Sequence, residues 1–175
     1  MSFLDHPVRV RVPATSANLG PGYDSFGLAL NHYDEVTATV ARSGLSIDVS
    51  GADEVPRDES HLVWRSMLAT FDRLAVRPPG MRLRCVNRIP HGRGLGSSAA
   101  AIVSGIELAR ALVPGGRQRL DDAGALVLAT ELEGHPDNVA ACLLGGFTLA
   151  WMDQDGRGRA VRLEPAGFTP VLFVP

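Results

Sequence analysis

A glycine-rich stretch at residues 90–100 has the composition of a phosphate-binding loop. It consists of Pro90, His91, Gly92, Arg93, Gly94, Leu95, Gly96, Ser97, Ser98, Ala99 and Ala100. Glycine at every second position leaves no side chain between a ligand and the main chain. The stretch runs into an alanine-rich helix, which Ser97 or Ser98 can cap. The first N–H groups of that helix and the helix dipole favour an anion in the loop. Glycines in this pattern are also typical of a tight turn.

The chain contains no lysine, because its 17 basic residues are all arginine. The loop therefore has no lysine of the G-x-x-x-x-G-K-[ST] type to hold phosphate, and its spacing also differs from the dinucleotide-binding G-x-G-x-x-G. Main-chain amides, serine hydroxyls and a metal ion would have to hold a nucleotide instead. Mg²⁺ takes few protein ligands, and Glu133 with Ser97 or Ser98 would supply the oxygens. Alternatively, Glu133 is a solvated side chain at a helix end.

A second polar cluster follows at His135, Asp137 and Asn138. Two common types of site are not indicated there. The chain has five histidines, at positions 6, 32, 61, 91 and 135, and they lack the spacing of zinc ligands. A Ser/His/Asp hydrolase is not indicated, because the sequence has no G-x-S-x-G motif.

A third polar stretch, residues 13–27, is dense in turn-forming residues and small polar side chains. It is predicted to be a long loop with a functional role. Asn18 and Asp24 could orient a small polar substrate there, although Asn18 could equally satisfy its own backbone as a turn residue.

Length and composition narrow the class of protein. A chain of 175 residues suits one domain, or one domain plus a fragment. The net charge of −2 gives no broad basic surface for nucleic acid. Cys85 and Cys142 lie in apolar contexts and are predicted to be buried free thiols in a reducing compartment. We expect a cytoplasmic protein, since no signal peptide and no membrane span is recognisable.

Periodicity and turn residues predict the elements that position these clusters. Strands are expected at 8–12, 28–30, 34–40, 45–49, 81–87, 147–152, 159–163 and 171–174. Helices are expected at 61–74 with Ser60 as N-cap, from the glycine loop to 112, at 120–131, and between Pro136 and Gly145. Residues 165–167 could form a linker.

Three stretches together resemble homoserine kinases of the GHMP kinase superfamily: residues 13–24, 94–100 and 133–140, in this order and separation. The resemblance covers nearly the whole chain. It implies an α+β fold, a GHMP kinase N-terminal domain similar to the second domain of ribosomal protein S5. Residues 1–166 would form the ATP-binding domain. Residues 167–175 would begin a C-terminal domain that is otherwise absent.

The resemblance also implies a reaction, transfer of the ATP γ-phosphate to the hydroxyl of L-homoserine in threonine biosynthesis. Residues 90–100 would surround the phosphates, and Ser98 and Glu133 would bind Mg²⁺. The residues expected to contact homoserine are Asn18, Asp24, His135 and Asn138. Those expected to take part in catalysis are Asn138, Asp137 and Glu133. Several relatives use an aspartate base at the position of Asn138, which cannot accept a proton at neutral pH. Positioning and charge stabilisation are therefore favoured, with Asp137 as the alternative base.

Two other functions remain open from the sequence: another small-molecule GHMP kinase, or a non-catalytic nucleotide-binding fragment. A C-terminal domain of this family would add arginines, a threonine and a second glycine-rich motif, which this chain lacks. We therefore expect the chain alone to have little kinase activity. Relatives of this kind are often dimers, so a homodimer is one expectation, with neither nucleic acid nor membrane as a partner.

Overall fold

The structure, a computed structural model, describes residues 3–51, 55–164 and 167–172. The chain folds into a mixed sheet and several helices, which confirms the α+β prediction. The elements are β1 (Val8–Leu19), β2 (Gly22–Val40), β3 (Gly44–Gly51), α1 (Leu62–Arg73), β4 (Gly80–Asn87), α2 (Ser97–Leu112), α3 (Gly116–Arg119), α4 (Asp122–Glu133), α5 (Asp137–Leu144), β5 (Phe147–Met152) and β6 (Gly158–Leu163).

The sheet of the described residues has six strands in the order β3-β4-β2-β5-β6, with β1 paired to β2. All pairs are antiparallel except β3 and β4, which are parallel. A parallel pair needs a crossover, and α1 lies in that connection. The long strand β2 pairs with three neighbours, so it joins the β1 hairpin to both the β4 and β5 sides of the sheet.

The prediction of a long loop at residues 13–27 is wrong. Strand β1 continues to Leu19 and β2 begins at Gly22, which leaves only a two-residue turn. Pairing shifts register between Pro13 and Thr15 and again between Ala17 and Leu19. These irregularities accommodate a proline and a positive φ of 59° at Asn18 within one hairpin. Short polar residues are typical of a loop when only the local sequence is considered. Here their main-chain N–H and C=O groups pair with β2, so the segment forms a strand.

The beginnings of two predicted helices also differ from the structure. His61, not Ser60, is the N-cap of α1 and makes no side-chain cap bond. Ser60 instead donates its hydroxyl to the Asp58 carboxylate. Helix α4 begins at Asp122, two residues later than expected, because Asp121 caps it by accepting from the main-chain N–H of Gly124.

The predictions for the C-terminal residues fall partly outside the described residues. Residues 165 and 166, two of the three residues of the proposed linker and the end of the proposed first domain, are among those not described. The strand predicted at 171–174 is not present at Val171 and Leu172, and residues 173–175 lie outside the described ranges.

Helix α2 packs at the centre of the fold, against α1, α4, α5 and β1. Ile102 and Ile106 belong to one hydrophobic cluster, while Leu108 and Leu112 belong to a second. Burial on several sides fixes the direction of this helix, and therefore the place of its first turn. The 16-residue α2 is not a membrane span, and within the described ranges no helix combines the length and apolar composition to cross a bilayer.

Cys85 and Cys142 are buried and free, as the sequence predicts. Burial raises the pKa of the Cys85 thiol to about 12, and burial also raises the pKa of Cys142. Both thiols therefore stay neutral at physiological pH and contribute to the core as small apolar side chains.

Candidate functional site

The glycine-rich stretch forms the connection between β4 and α2. Gly92, Gly94 and Gly96 have φ angles of 66°, 68° and 67°, in the left-handed region that favours glycine. The predicted serine cap is wrong: Gly96 is the N-cap of α2, and Ser97 and Ser98 are its first two residues. Their hydroxyls are therefore not used for capping, and the first main-chain N–H groups of α2 face the loop.

Two residues that the sequence analysis did not select hold the ends of this loop. Asp34 on β2 accepts hydrogen bonds from the main-chain N–H groups of Arg88 (2.6 Å) and Ile89 (2.9 Å), just before the loop. Burial raises the pKa of Asp34, and these two donors partly offset that rise. Thr15 on β1 donates its main-chain N–H to the carbonyl of Leu95 at 3.0 Å. The sequence gives no signal for Asp34, because the predicted strand begins at this residue, whereas in the structure Asp34 lies inside β2 and is buried, so its carboxylate requires donors.

The structure brings Ser98 and Glu133 together, although 35 positions separate them in the chain. The Ser98 hydroxyl, in the first turn of α2, donates to Glu133 Oε1 at 2.6 Å. Glu133 is the last residue of α4, so packing of α2 against α4 creates the pair. In the described part of the chain no group of three or more His, Cys, Asp or Glu could hold a metal by itself. One hydroxyl and one carboxylate fit an ion that takes its other ligands from water and phosphate, as Mg²⁺ does.

His135, Asp137 and Asn138 form a compact cluster at the beginning of α5. The Asp137 side chain is 1% exposed, and its Oδ1 lies 2.5 Å from His135 Nδ1. The same oxygen accepts from the Asn138 main-chain N–H at 2.7 Å. Asp137 therefore lies behind His135, whose side chain is about half exposed. A carboxylate at Nδ1 fixes the ring and leaves Nε2 directed away from it.

Asn18 and Asp24 lie on either side of the β1–β2 turn. The main-chain N–H of Asp24 donates to Asn18 Oδ1 at 2.7 Å, and the φ angles of the two residues are 59° and 54°. Both residues are exposed. Strand β1 connects them to the α5 cluster, because Thr15 Oγ1 donates to Asn138 Oδ1 at 2.8 Å. Asn18 is three residues further along this strand, a distance of roughly 10 Å at the rise of an extended chain.

A cavity of about 220 Å³ lies beside the glycine loop, between the first turns of α1 and α2. Val36, Val55 and Leu62 give it apolar walls, and Ser97 and Ser98 reach it from the loop side. Two of its lining residues carry buried polar atoms without a hydrogen-bond partner among the described residues, His61 at Nδ1 and Ser104 at Oγ. Such atoms are costly in an empty apolar cavity. They indicate a cavity suited to a ligand that is largely apolar and carries polar atoms able to bond His61 and Ser104.

We expect His61 to make folding pH-dependent. Burial lowers the pKa of His61, Asp58 raises it by a smaller amount, and His91 lowers it further. The unfolded chain therefore takes up this proton at higher pH than the folded one. The contribution of neutral His61 to the free energy of unfolding is fully present above about pH 6.5. It is lost as pH falls from there toward the pKa of His61 in the folded chain, by at most about 1.4 kcal/mol per pH unit. Urea unfolding of the wild type and His61→Asn at pH 7 and pH 5.5 measures this loss.

The variant should lose less stability than the wild type over this interval. His6→Asn offers the matched control, because it removes an exposed histidine and leaves the buried His61 in place. An equal loss in wild type and His61→Asn would show that other groups cause the acid destabilisation.

Comparisons with known proteins agree on one family. The sequence model for the GHMP kinases N terminal domain matches residues 61–146. Homoserine kinase of Streptomyces coelicolor is 63% identical over 177 residues, which cover 99% of this chain and 57% of the relative. The chain thus spans little more than half the length of the curated relatives it matches.

Solved structures show the same similarity. The crystal structure of homoserine kinase from Cytophaga hutchinsonii is 32% identical with a TM-score of 0.74, over 93% of this chain and 53% of that one. A candidate homoserine kinase from Listeria monocytogenes is 40% identical with a TM-score of 0.76, over 90% of this chain and 54% of that one. In both, the matched part is about half of the longer protein.

Proposed function

We propose that this chain, which belongs to the GHMP kinase family, provides the ATP-binding part and part of the acceptor site of a homoserine kinase. The reaction would transfer the γ-phosphate of ATP to the hydroxyl of L-homoserine, giving O-phospho-L-homoserine in threonine biosynthesis. One observation carries the proposal: three motifs distant in sequence meet at one place. Thr15 contacts Asn138, and a Cβ built at Gly96 would lie 2.0 Å from Thr15 Oγ1 and 3.2 Å from Asn138 Oδ1.

The phosphates would lie against the main chain of residues 90–100 and the first turn of α2. Left-handed turns at alternate residues direct successive N–H groups toward one concave surface. The helix dipole adds partial positive charge at the same end. No lysine is needed for this mode of binding, which agrees with a chain that contains none.

Ser98 and Glu133 would hold Mg²⁺, because their oxygens are already 2.6 Å apart at the edge of the loop. Mg²⁺ would neutralise charge on the phosphate oxygens. Glu133 carries a negative charge at the C-terminal end of α4, where the helix dipole disfavours it. A bound cation would offset this unfavourable interaction between the Glu133 carboxylate and the helix dipole.

The nucleobase would occupy the cavity of about 220 Å³ beside the loop. Its apolar walls suit the faces of an adenine ring, and the unpartnered atoms of His61 and Ser104 suit its polar edge. Because burial lowers the pKa of His61, the imidazole is neutral at pH 7 and does not attract the phosphates into this cavity.

L-Homoserine would contact Asn18, Asp24, His135 and Asn138. The Asp24 carboxylate suits the substrate ammonium, whereas His135 and Asn138 suit its polar ends. Asp137 is favoured as a residue that orients His135 and not as a general base, because its side chain is 1% exposed and its Oδ1 is engaged twice. Catalysis would then depend on positioning and charge stabilisation, and the hydroxyl proton would leave to phosphate or water.

The remaining parts of the proposal concern the whole protein. Since relatives are almost twice as long, we propose that turnover requires a C-terminal domain and that this chain alone is a poor catalyst. We also propose a cytoplasmic enzyme, with a homodimer as one form and without nucleic-acid or membrane ligands.

An assay of ADP release tests the proposed function. The 175-residue chain and a fusion to the part of the Streptomyces coelicolor relative that it does not cover are compared with L-homoserine, mevalonate and galactose as acceptors. We expect turnover by the fusion with homoserine, at least about 100-fold above the other acceptors, and little turnover by the chain alone. Preference for another alcohol would identify a different GHMP kinase. Mg²⁺-dependent ATP binding with no turnover in either protein would favour a non-catalytic nucleotide-binding fragment.

A further inference from the structure

Thr15 lies where the glycine loop, β1 and α5 meet, and no role follows for it from the sequence motifs. The residue is fully buried, with 0% of its surface exposed. Its main-chain N–H donates to the Leu95 carbonyl at 3.0 Å, and its hydroxyl donates to Asn138 Oδ1 at 2.8 Å. Thr15 therefore makes one contact with the loop through its backbone and one with α5 through its side chain.

The hydrogen bond from the Thr15 hydroxyl fixes the orientation of the Asn138 side-chain amide. A carboxamide has one oxygen that accepts and one nitrogen that donates two hydrogens. Because the oxygen accepts from a fully buried hydroxyl, the nitrogen of this half-buried side chain is the end left for another partner. The same oxygen lies 3.2 Å from a Cβ built at Gly96, so the amide adjoins the N-cap of α2.

We propose that Thr15 is a positioning residue, whose hydroxyl holds the Asn138 amide with both N–H groups available to an oxygen atom at the reacting centre. The inference rests on the proposed function. It makes Asn138 a hydrogen-bond donor, which can stabilise negative charge on oxygen, and not an acceptor of the hydroxyl proton. The role needs the hydroxyl, which serine also carries and valine lacks, whereas all three residues have the backbone N–H that bonds Leu95. Serine should therefore replace threonine, and valine should not.

Nuclear magnetic resonance of the 175-residue chain tests the orientation. The side-chain amide signal of Asn138, assigned by its loss in Asn138→Asp, is followed while Mg–ATP and L-homoserine are added. We expect it to move in the wild type and in Thr15→Ser, and to move much less in Thr15→Val, while main-chain signals of Gly92 and Gly94 move in all three. Loop signals that do not move in the wild type would overturn the proposed function. Moving loop signals with an equal Asn138 response in Thr15→Val would overturn this inference alone.

Kinetics of the fusion protein give the second readout. Thr15→Val should lower kcat about tenfold or more with KM for ATP changed less than about twofold, and Thr15→Ser should recover kcat to within about threefold of wild type. A purely structural role would change both constants together. If Thr15→Val does not fold, the turnover of Asn138→Asp tests the donor role instead. Aspartate keeps an oxygen for the Thr15 hydroxyl but has neither of the two N–H groups. Turnover of Asn138→Asp at or above the wild-type rate would contradict the donor role, and a tenfold loss would support it.

Discussion

Glu133→Gln should reduce kcat/KM for Mg–ATP in the fusion protein about 100-fold while slightly stabilising the ligand-free chain. Glutamine keeps an oxygen for the Ser98 hydroxyl, which lies 2.6 Å from Glu133 Oε1, but loses the charge that a divalent cation requires. The same loss of charge relieves an unfavourable interaction at the C-terminal end of α4, worth about 0.3–1 kcal/mol. A fall in kcat/KM together with a small rise in the free energy of unfolding indicates a ligand-binding carboxylate. Loss of a structural carboxylate would lower the free energy of unfolding.

Glu131 provides the matched control, two residues earlier on α4. Its carboxylate pairs with Arg73 at 2.5 Å on the surface, where both side chains are about half exposed. Glu131→Gln should leave kcat/KM unchanged and alter the unfolding free energy by about 1 kcal/mol or less, since exposed pairs contribute little. Isothermal titration of Mg–ATP into the 175-residue chain checks the binding effect without turnover. Equal affinity for wild type and Glu133→Gln would remove Glu133 from the metal site.

Gly96→Ala should destabilise the chain by about 3 kcal/mol or more and abolish tight ATP binding. A side chain at a φ of 67° costs about 1–2 kcal/mol by itself. The added methyl group would also lie 2.0 Å from Thr15 Oγ1, which is fully buried and bonded to Asn138. Neither neighbour can withdraw without breaking that bond, so the first turn of α2 should move. Urea unfolding and ATP titration measure the two effects.

Gly94→Ala separates backbone strain from the steric clash. Gly94 has nearly the same φ, 68°, but a Cβ there meets nothing within 4 Å. Its variant should therefore lose only about 1–2 kcal/mol of unfolding free energy. Both substitutions reduce access of phosphate to the main chain, so stability is the readout that distinguishes them. Equal destabilisation by the two substitutions would show that Gly96 does not contact Thr15 closely in solution.

Residue types and spacing predict where the candidate site residues lie in the chain. Alternate glycines at 92, 94 and 96 indicate left-handed turns, since other residues rarely adopt that conformation, and all three have positive φ. Because the chain has no lysine, main-chain donors and a metal ion are predicted to bind the phosphates. The sequence also predicts that Glu133 pairs with Ser97 or Ser98, because hydroxyl and carboxylate oxygens are what Mg²⁺ binds.

Features that depend on contacts between distant residues become apparent only in the folded chain. Residues 13–27 have few apolar side chains, which predicts a loop. In the structure they form the end of β1 and the beginning of β2, which pair with each other. Composition alone leaves Ser97 and Ser98 equivalent as partners of Glu133, and the resemblance implies Ser98. The packing of α2 on α4 brings the Ser98 hydroxyl to Glu133, because neighbouring residues on a helix point in different directions. The roles of Asp34 and Thr15 were invisible for the same reason. Each is an ordinary strand residue until the loop and α5 fold over it, and burial then turns its polar atoms into fixed hydrogen-bond partners.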